Sequence, residues 1–173
     1  MEEFEILEKQ ANEGNVEAKN NLGYYYLVGI GTEIDYKKAF QWFEKAAKQG
    51  NAAAQNNLGY CYQYGIGTEI DYKKAFKWYK KATEQENAEA QFALGICYEH
   101  GLGTKIDYKQ AFEWYKKAAE QELTSAQYNL GVYYEYGIGT EIDCKQAFEW
   151  YKKAADKSNA TAQKSRNSKT IDR

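Results

Sequence analysis

One interval governs this chain: its residues return every 36 positions. Leu22, Leu58, Leu94 and Leu130 are each followed by glycine, and Trp42, Trp78, Trp114 and Trp150, the only tryptophans, keep the same step. The loop GIGTEID at 29–35 returns as GIGTEID, GLGTKID and GIGTEID. Glycine obeys the period most strictly. Twelve of the 14 fall at the phases of Gly23, Gly29 and Gly31, and Gly14 and Gly50 share a fourth. A chain built this way folds as an array, because one unit of this length cannot bury its apolar face alone and must stack on its neighbours.

Each unit reads as two helices. Ala18, Leu22, Tyr25, Tyr26 and Gly29 lie on one face of a 3.6-residue period. Gly29 ends that helix, since glycine enters the left-handed C-cap conformation without a Cβ clash. Gly31 lets the loop turn again, and Ile30 and Ile34, apolar in every unit, are expected to pin the loop to the core. Asp35, with Asp71, Asp107 and Asp143, is placed to cap the second helix through its carboxylate. That helix is expected to bury Ala39, Trp42, Phe43 and Ala46, with Phe40 beside them, and to expose Lys37, Lys38 and Lys45. A mid-helix glycine costs roughly 1 kcal/mol against alanine, so the recurrence of Gly23 predicts close approach of a neighbouring helix or ring. The tryptophans read as the largest core contributors, with a truncation cost of about 3–5 kcal/mol each. Proline is absent, as suits a chain of helices and tight turns.

The same phases divide the chain into a half-repeat capping helix (1–15), four full units (16–51, 52–87, 88–123, 124–159) and a degenerate or disordered polar tail (160–173). Residues 4–15 align with 40–51, so the chain opens on a lone second helix. In the tail Arg166 and Asn167 stand where Leu-Gly recurs elsewhere, so it reads as either a polar capping helix or disordered. Starting and stopping inside a unit also suits a segment of a longer array.

Composition removes several function classes. The 23 basic and 25 acidic side chains leave a net charge of −2, without the basic stripe that replaces counterions on nucleic acid. No apolar run approaches the roughly 20 residues of a membrane span, and MEEFEILEKQ lacks a signal peptide's basic start and apolar middle. The three cysteines are spread too widely for a disulfide framework or zinc cluster, so no cofactor or metal is expected and the location expected is cytoplasmic. A single histidine, His100, excludes H-E-x-x-H zinc chemistry, and no S-x-x-K, G-x-S-x-G or P-loop string occurs. The repeated G-x-G-T lacks the preceding strand and third glycine of a phosphate loop, and helix termination accounts for its glycines. Cys61 and Cys97 share the phase of Tyr25 and Cys144 that of Tyr36, so all three read as buried substitutes for tyrosine.

The arrangement A-x-x-x-L-G-x-x-Y-x-x-G-x-G…D-x-x-x-A-x-x-W-[FY]-x-K-A, spanning residue 4 to about residue 163, resembles the Sel-1-like repeat family, relatives of the tetratricopeptide repeats. The resemblance implies an all-α fold, a right-handed α-solenoid of antiparallel helix pairs. It also implies adaptor and scaffold duty in complexes, as in ER-linked protein degradation, cell-wall synthesis control and bacterium–host contact. Two features depart from the pattern: Glu86 and Glu122 replace the turn glycine, and the fifth unit degenerates. Some cysteine-rich, secreted members are described as β-lactamases. This chain lacks their paired cysteines and the serine-lysine motif, which leaves a hydrolase as the alternative to a non-catalytic scaffold, beside a structural segment of a longer array.

Sorting the 28 aromatic residues by phase isolates a surface. Twenty-two occupy the phases of Tyr25, Tyr26, Tyr36, Phe40, Trp42 and Phe43, read as core. The other six, Tyr24, Tyr60, Tyr64, Phe92, Tyr128 and Tyr136, all lie on first helices, at phases pointing away from the core face. By resemblance, first helices line the concave side of the superhelix. The expected groove then consists of Asn20 and Tyr24, of Asn56, Tyr60 and Gln63, of Phe92, Ile96 and Glu99, and of Tyr128, Val132 and Glu135. Asn21, Asn57 and Asn129 recur beside it as hydrogen-bonding groups for a peptide backbone. The stripe has three readings: contact with a protein or peptide ligand, packing between successive units, or self-association. The function expected is a scaffold for a protein or peptide segment, with neither nucleic-acid binding nor membrane insertion.

Overall fold

In the computed structural model, residues 2–171 are described, with side chains over 3–158. Among the described residues there are nine helices and no strand: α1 (Glu2–Asn12), α2 (Val16–Val28), α3 (Tyr36–Lys48), α4 (Ala52–Tyr64), α5 (Tyr72–Thr83), α6 (Ala88–His100), α7 (Tyr108–Glu120), α8 (Thr124–Tyr136) and α9 (Cys144–Ile171). The even-numbered helices are the first helices of the units and the odd-numbered ones the second helices, with α1 as a lone second helix. Each packs principally on the helix before and the helix after it, which makes the fold an α-solenoid of helix pairs.

Local chemistry sets the boundaries. Asp35, Asp71, Asp107 and Asp143 each accept a backbone N–H three residues on, at 2.9–3.0 Å, as their spacing predicts. The first helices use a cap that the period also carries: Asn15, Asn51 and Asn87 accept from the N–H groups of Ala18, Ala54 and Ala90 at 2.8–2.9 Å. Leu123 takes that place in the fourth unit and makes no such bond. Gly29, Gly65, Gly101 and Gly137 end the first helices in the left-handed region. Glu86 and Glu122, at the turn phase of Gly14 and Gly50, also take positive φ, 57° and 64°.

Within a unit, the mid-helix glycine meets a ring. A Cβ at Gly23, Gly59, Gly95 or Gly131 would come no farther than 2.7 Å from the ring of Phe43, Tyr79, Tyr115 or Tyr151. That close approach offsets glycine's poor helix propensity. Between units, Phe40, Phe76 and Phe112 meet Tyr62, Tyr98 and Tyr134 of the next unit edge to face, at centroid distances of 5.3–5.4 Å. Phe4 of α1 meets Tyr26 in the same way at 5.5 Å. Phe148, on α9, has no following first helix over it among the described residues and is 64% exposed, where Phe112 is 7% exposed. A polar ladder runs along the same seams. Gln85 Nε2 donates to the Gly50 carbonyl at 2.9 Å and to the buried Gln55 at 3.1 Å, and Gln121 repeats this with Glu86 at 2.8 Å and Gln91 at 2.9 Å.

The structure corrects three sequence expectations. Trp42, Trp78, Trp114 and Trp150 are only partly buried, at the margin of the core. A lysine three residues on covers each ring, at 4.0–4.7 Å from its centroid. The fully buried ring is the neighbouring one, Phe43, Tyr79 or Tyr115. Ile34, Ile70, Ile106 and Ile142 do not pin the loop to the core; they are 56–68% exposed, and only Ile66, Leu102 and Ile138 of the other loop phase pack against it. Tyr36, Tyr72 and Tyr108, counted as core by phase, are exposed, as is Cys144, whereas Cys61 and Cys97 are buried. In the polar tail, for which the sequence left a capping helix and disorder open, α9 continues to Ile171; its side chains lie outside the described residues.

Candidate partner-binding face

The predicted groove residues divide by what holds them. Tyr24, Tyr60 and Tyr128 stand 49%, 45% and 58% exposed on α2, α4 and α8. Tyr64 lies against Tyr60, ring centroids 4.5 Å apart, and Tyr136 is open to solvent. None of these rings makes a ring contact between units, and burial does not explain them. Phe92 and Tyr128 rest on the second-helix tyrosines of their own units, Tyr115 and Tyr151, at 5.4 and 5.5 Å. Ile96 and Val132 are partly buried, and Ile96 joins Phe92 at the core margin. Asn56 is partly buried, and Asn20 accepts from Asn57 Nδ2 of the next unit at 3.0 Å. Asn57, expected to be free for a peptide backbone, thus commits a donor to holding two first helices in register.

Three predicted members are tied to tyrosine hydroxyls. Tyr79 donates to Gln63 at 2.8 Å, Tyr115 to Glu99 at 2.7 Å and Tyr151 to Glu135 at 2.6 Å. Gln63 is buried, 6% exposed, so it satisfies Tyr79 instead of lining an open surface. Glu99 is partly buried and Glu135 exposed, so both carboxylates reach solvent while one oxygen is held. Burial first, and then the hydrogen bond to Glu99, raise the Tyr115 hydroxyl above its ordinary value; burial and Glu135 do the same for Tyr151. Both hydroxyls therefore stay protonated and donating at neutral pH. The signal for these pairs was present in the sequence. The one unit with phenylalanine at this phase, Phe43, has Leu27 opposite, and the three units with tyrosine have Gln or Glu.

Charge is sorted by helix. The first helices α2, α4, α6 and α8 carry Glu17, Glu89, Glu99 and Glu135, and their only basic residues are Lys19 and His100. Lys19 donates to Gln49 at 2.8 Å and to the Gly14 carbonyl at 3.3 Å, and His100 lies 3.5 Å from Glu99. The second helices α3, α5 and α7 carry twelve lysines. The first helices are thus aromatic and weakly acidic, and the second helices α3, α5 and α7 are basic, whereas α1 is acidic, with four glutamates and one lysine.

Cys61 and Cys97 are buried, and burial pushes each thiol up to about 12, which keeps the thiolate from forming at neutral pH. Among the described residues no group of three His, Cys, Asp or Glu side chains could hold a metal ion, and no helix is long and apolar enough to cross a membrane.

The family model described as "Sel1 repeat" matches residues 16–51, 52–87, 88–123 and 124–159. Among solved structures, the chain is similar to c5321, a protective antigen present in uropathogenic Escherichia coli strains that displays an SLR fold, with 40% identity and a TM-score of 0.84 over 89% of this chain and 33% of that one. It is similar to a Sel1 repeat protein from Oxalobacter formigenes, with 40% identity and a TM-score of 0.74 over 83% of this chain and 59% of that one. A third, Helicobacter pylori cysteine rich protein B, shares 28% identity at a TM-score of 0.56, covering 71% of this chain and 88% of that one. The chain thus spans a third of the first of these proteins and under two thirds of the second. A comparison with curated protein sequences finds no match. Four consecutive repeat matches, and the helix pairs and seams that the same residues build, lead to one conclusion: the chain belongs to the Sel1-repeat family.

Proposed function

We propose that this chain is a non-catalytic interaction scaffold, holding a protein or peptide segment on the concave side formed by its first helices. The observation that carries the reading is the set Tyr24, Tyr60 and Tyr128: large aromatic rings on first helices, about half exposed, none of them in a ring contact between units. Tyrosine offers wide contact area with few rotamers to freeze, which is why it dominates binding hot spots. The Tyr–Gln and Tyr–Glu bonds and the Asn57–Asn20 bridge support it by making the wall behind those rings rigid, so a ligand meets a surface already ordered. A cytoplasmic location belongs to the same proposal, since three free thiols suit a reducing compartment.

The test begins with a displayed random dodecapeptide library selected on the immobilised protein. Affinities of the enriched peptides are then measured by fluorescence anisotropy. The variant Y24S/Y60S/Y128S is expected to lose binding while keeping a melting temperature close to wild type, because none of the three rings lies in the core and only the contacts to Tyr64 and Tyr151 are given up. Full affinity in that variant, with loss instead in I70S/I106S, would move the contact to the exposed loop edge and refute the groove.

A further inference from the structure

The proposed groove is not neutral, and its polarity changes along the array. At one repeating position the first unit presents Leu27, the second the buried amide of Gln63, and the third and fourth the carboxylates of Glu99 and Glu135. Each of these two carboxylates is oriented by a tyrosine hydroxyl from the second helix of its own unit, at 2.7 and 2.6 Å. Each has an aromatic ring from its own first helix, Phe92 or Tyr128, resting on that same tyrosine. Both carboxylates give one oxygen to their tyrosine and still reach solvent, Glu135 exposed and Glu99 partly buried with the Tyr133 hydroxyl and His100 beside it. No lysine or arginine of α4, α6 or α8 answers these charges, because those helices carry none; the basic side chain beside Glu99 is His100, 3.5 Å away. Apart from Lys19 of α2 and Lys105 of a loop, the lysines of the units lie on second helices, where four of them cover tryptophan rings.

We propose that the segment held in the groove is basic as well as apolar: it carries lysine or arginine side chains for Glu99 and Glu135, beside aliphatic or aromatic side chains for the Tyr24–Tyr60 end. Two arguments select this occupant. An acidic ligand would bring like charges together in a partly desolvated place, which costs several times more than the same encounter in water. A neutral ligand would desolvate the Glu99 and Glu135 carboxylates further without bringing a counter-charge, whereas an ammonium or guanidinium group meets them with charge-assisted bonds. The inference rests on the scaffold reading above and adds the chemistry of the partner to it.

The variant that separates the two ideas is supplied by the protein itself. Gln63 shows that a glutamine at this phase still accepts the tyrosine hydroxyl, so E99Q/E135Q removes the two charges and keeps the bonds behind them. Peptides enriched from the dodecapeptide library are titrated by anisotropy against wild type, E99Q/E135Q and Y24S/Y60S/Y128S, at low and high salt. The expected result is enrichment of Lys and Arg next to Leu, Phe or Tyr, a loss of roughly tenfold or more in E99Q/E135Q, and a shallower salt dependence in that variant. Three results would overturn it. Neutral or acidic peptides that bind E99Q/E135Q as wild type but fail on the tyrosine variant would end the charge inference and leave the scaffold. Basic peptides indifferent to E99Q/E135Q would show general attraction to an acidic protein. Peptides indifferent to both variants would remove the groove itself.

Discussion

Replacing Gly103 with alanine probes what joins one unit to the next. Gly103 sits in the loop of the third unit with φ +72°, and the start of α5 in the second unit lies directly against it. A Cβ built there would be 2.6 Å from the Tyr72 carbonyl carbon and 3.0 Å from Lys73 Cα, with the Tyr72 oxygen closer still. Carbon atoms pack at about 3.5–4 Å, so the two units must separate by roughly 1 Å. The obstacle is backbone in the first turn of a helix, which cannot swing aside as a side chain can. Overpacking of this kind costs about 1–3 kcal/mol, and the left-handed backbone adds about 1–2 kcal/mol for any residue with a Cβ. Gly50 is the control. It has φ +90° and nothing within 4 Å of an added methyl group, and Glu86 and Glu122 already occupy its phase. G50A therefore carries the backbone cost alone, about 1 kcal/mol. For a chain of this length 1 kcal/mol moves the melting temperature by about 2–4 °C. Thermal unfolding followed by circular dichroism should show a shift of a few degrees for G50A and roughly 10 °C for G103A. G103A should also split the transition, because coupling in a solenoid passes only through neighbouring seams. Equal shifts for the two variants would refute the argument that this seam is held by backbone contact.

Further outcomes follow from the same packing. Y79F leaves Gln63 buried without its donor and should cost about 1–3 kcal/mol in urea unfolding, whereas Y79F/Q63L, the pair present as Phe43 and Leu27, should recover most of it; no recovery would mean that the hydroxyl bond carries little. W78A should cost about 2 kcal/mol, below the 3–5 kcal/mol of a fully buried ring, and less than Y79A measured in the same way. Iodoacetamide at pH 8 should add once per folded chain, on the exposed Cys144, with Cys61 and Cys97 reacting only in denaturant, as read by mass spectrometry. Because burial raises Cys61 and Cys97 to about 12 from 9.0, the unfolded chain releases those protons first as pH climbs. Stability should hold below pH 9.0 and fall from there toward about 12, and the urea midpoint should drop less in C61A/C97A.

The fold was legible because repetition multiplies weak signals. A single Asp before a helix or a single Gly after one is a modest cue, but four copies in phase leave one register, and the caps at Asp35 and Gly29 appear where that register puts them. Gly23 was legible for the same reason: a mid-helix glycine kept in every unit needs a neighbour pressed against it, and the ring of Phe43 is that neighbour. The face was harder. Counting an aromatic phase as core treats every apolar side chain as equally buried, and so it placed Trp42 and Tyr36 inside. Trp42 is large enough to lie across the margin under Lys45, and Tyr36 contributes its backbone carbonyl to the seam with Gly67 and leaves its ring in solvent. Gln63 was misread as open surface because phase alone does not reveal which polar residue has a buried partner, although its variation with residue 79 carried that information.

Residue order by itself determined the period, the two helices of each unit and their ends, since these depend on spacing within a dozen residues and on the conformational limits of glycine and the capping power of aspartate and asparagine. Tertiary structure decided which rings are buried, which carboxylates are held and which loops touch. Those outcomes depend on groups 16 to 35 residues apart, whose meeting is set by how one helix pair rests on the next, as when Tyr115 closes on Glu99 or Gly103 on Tyr72.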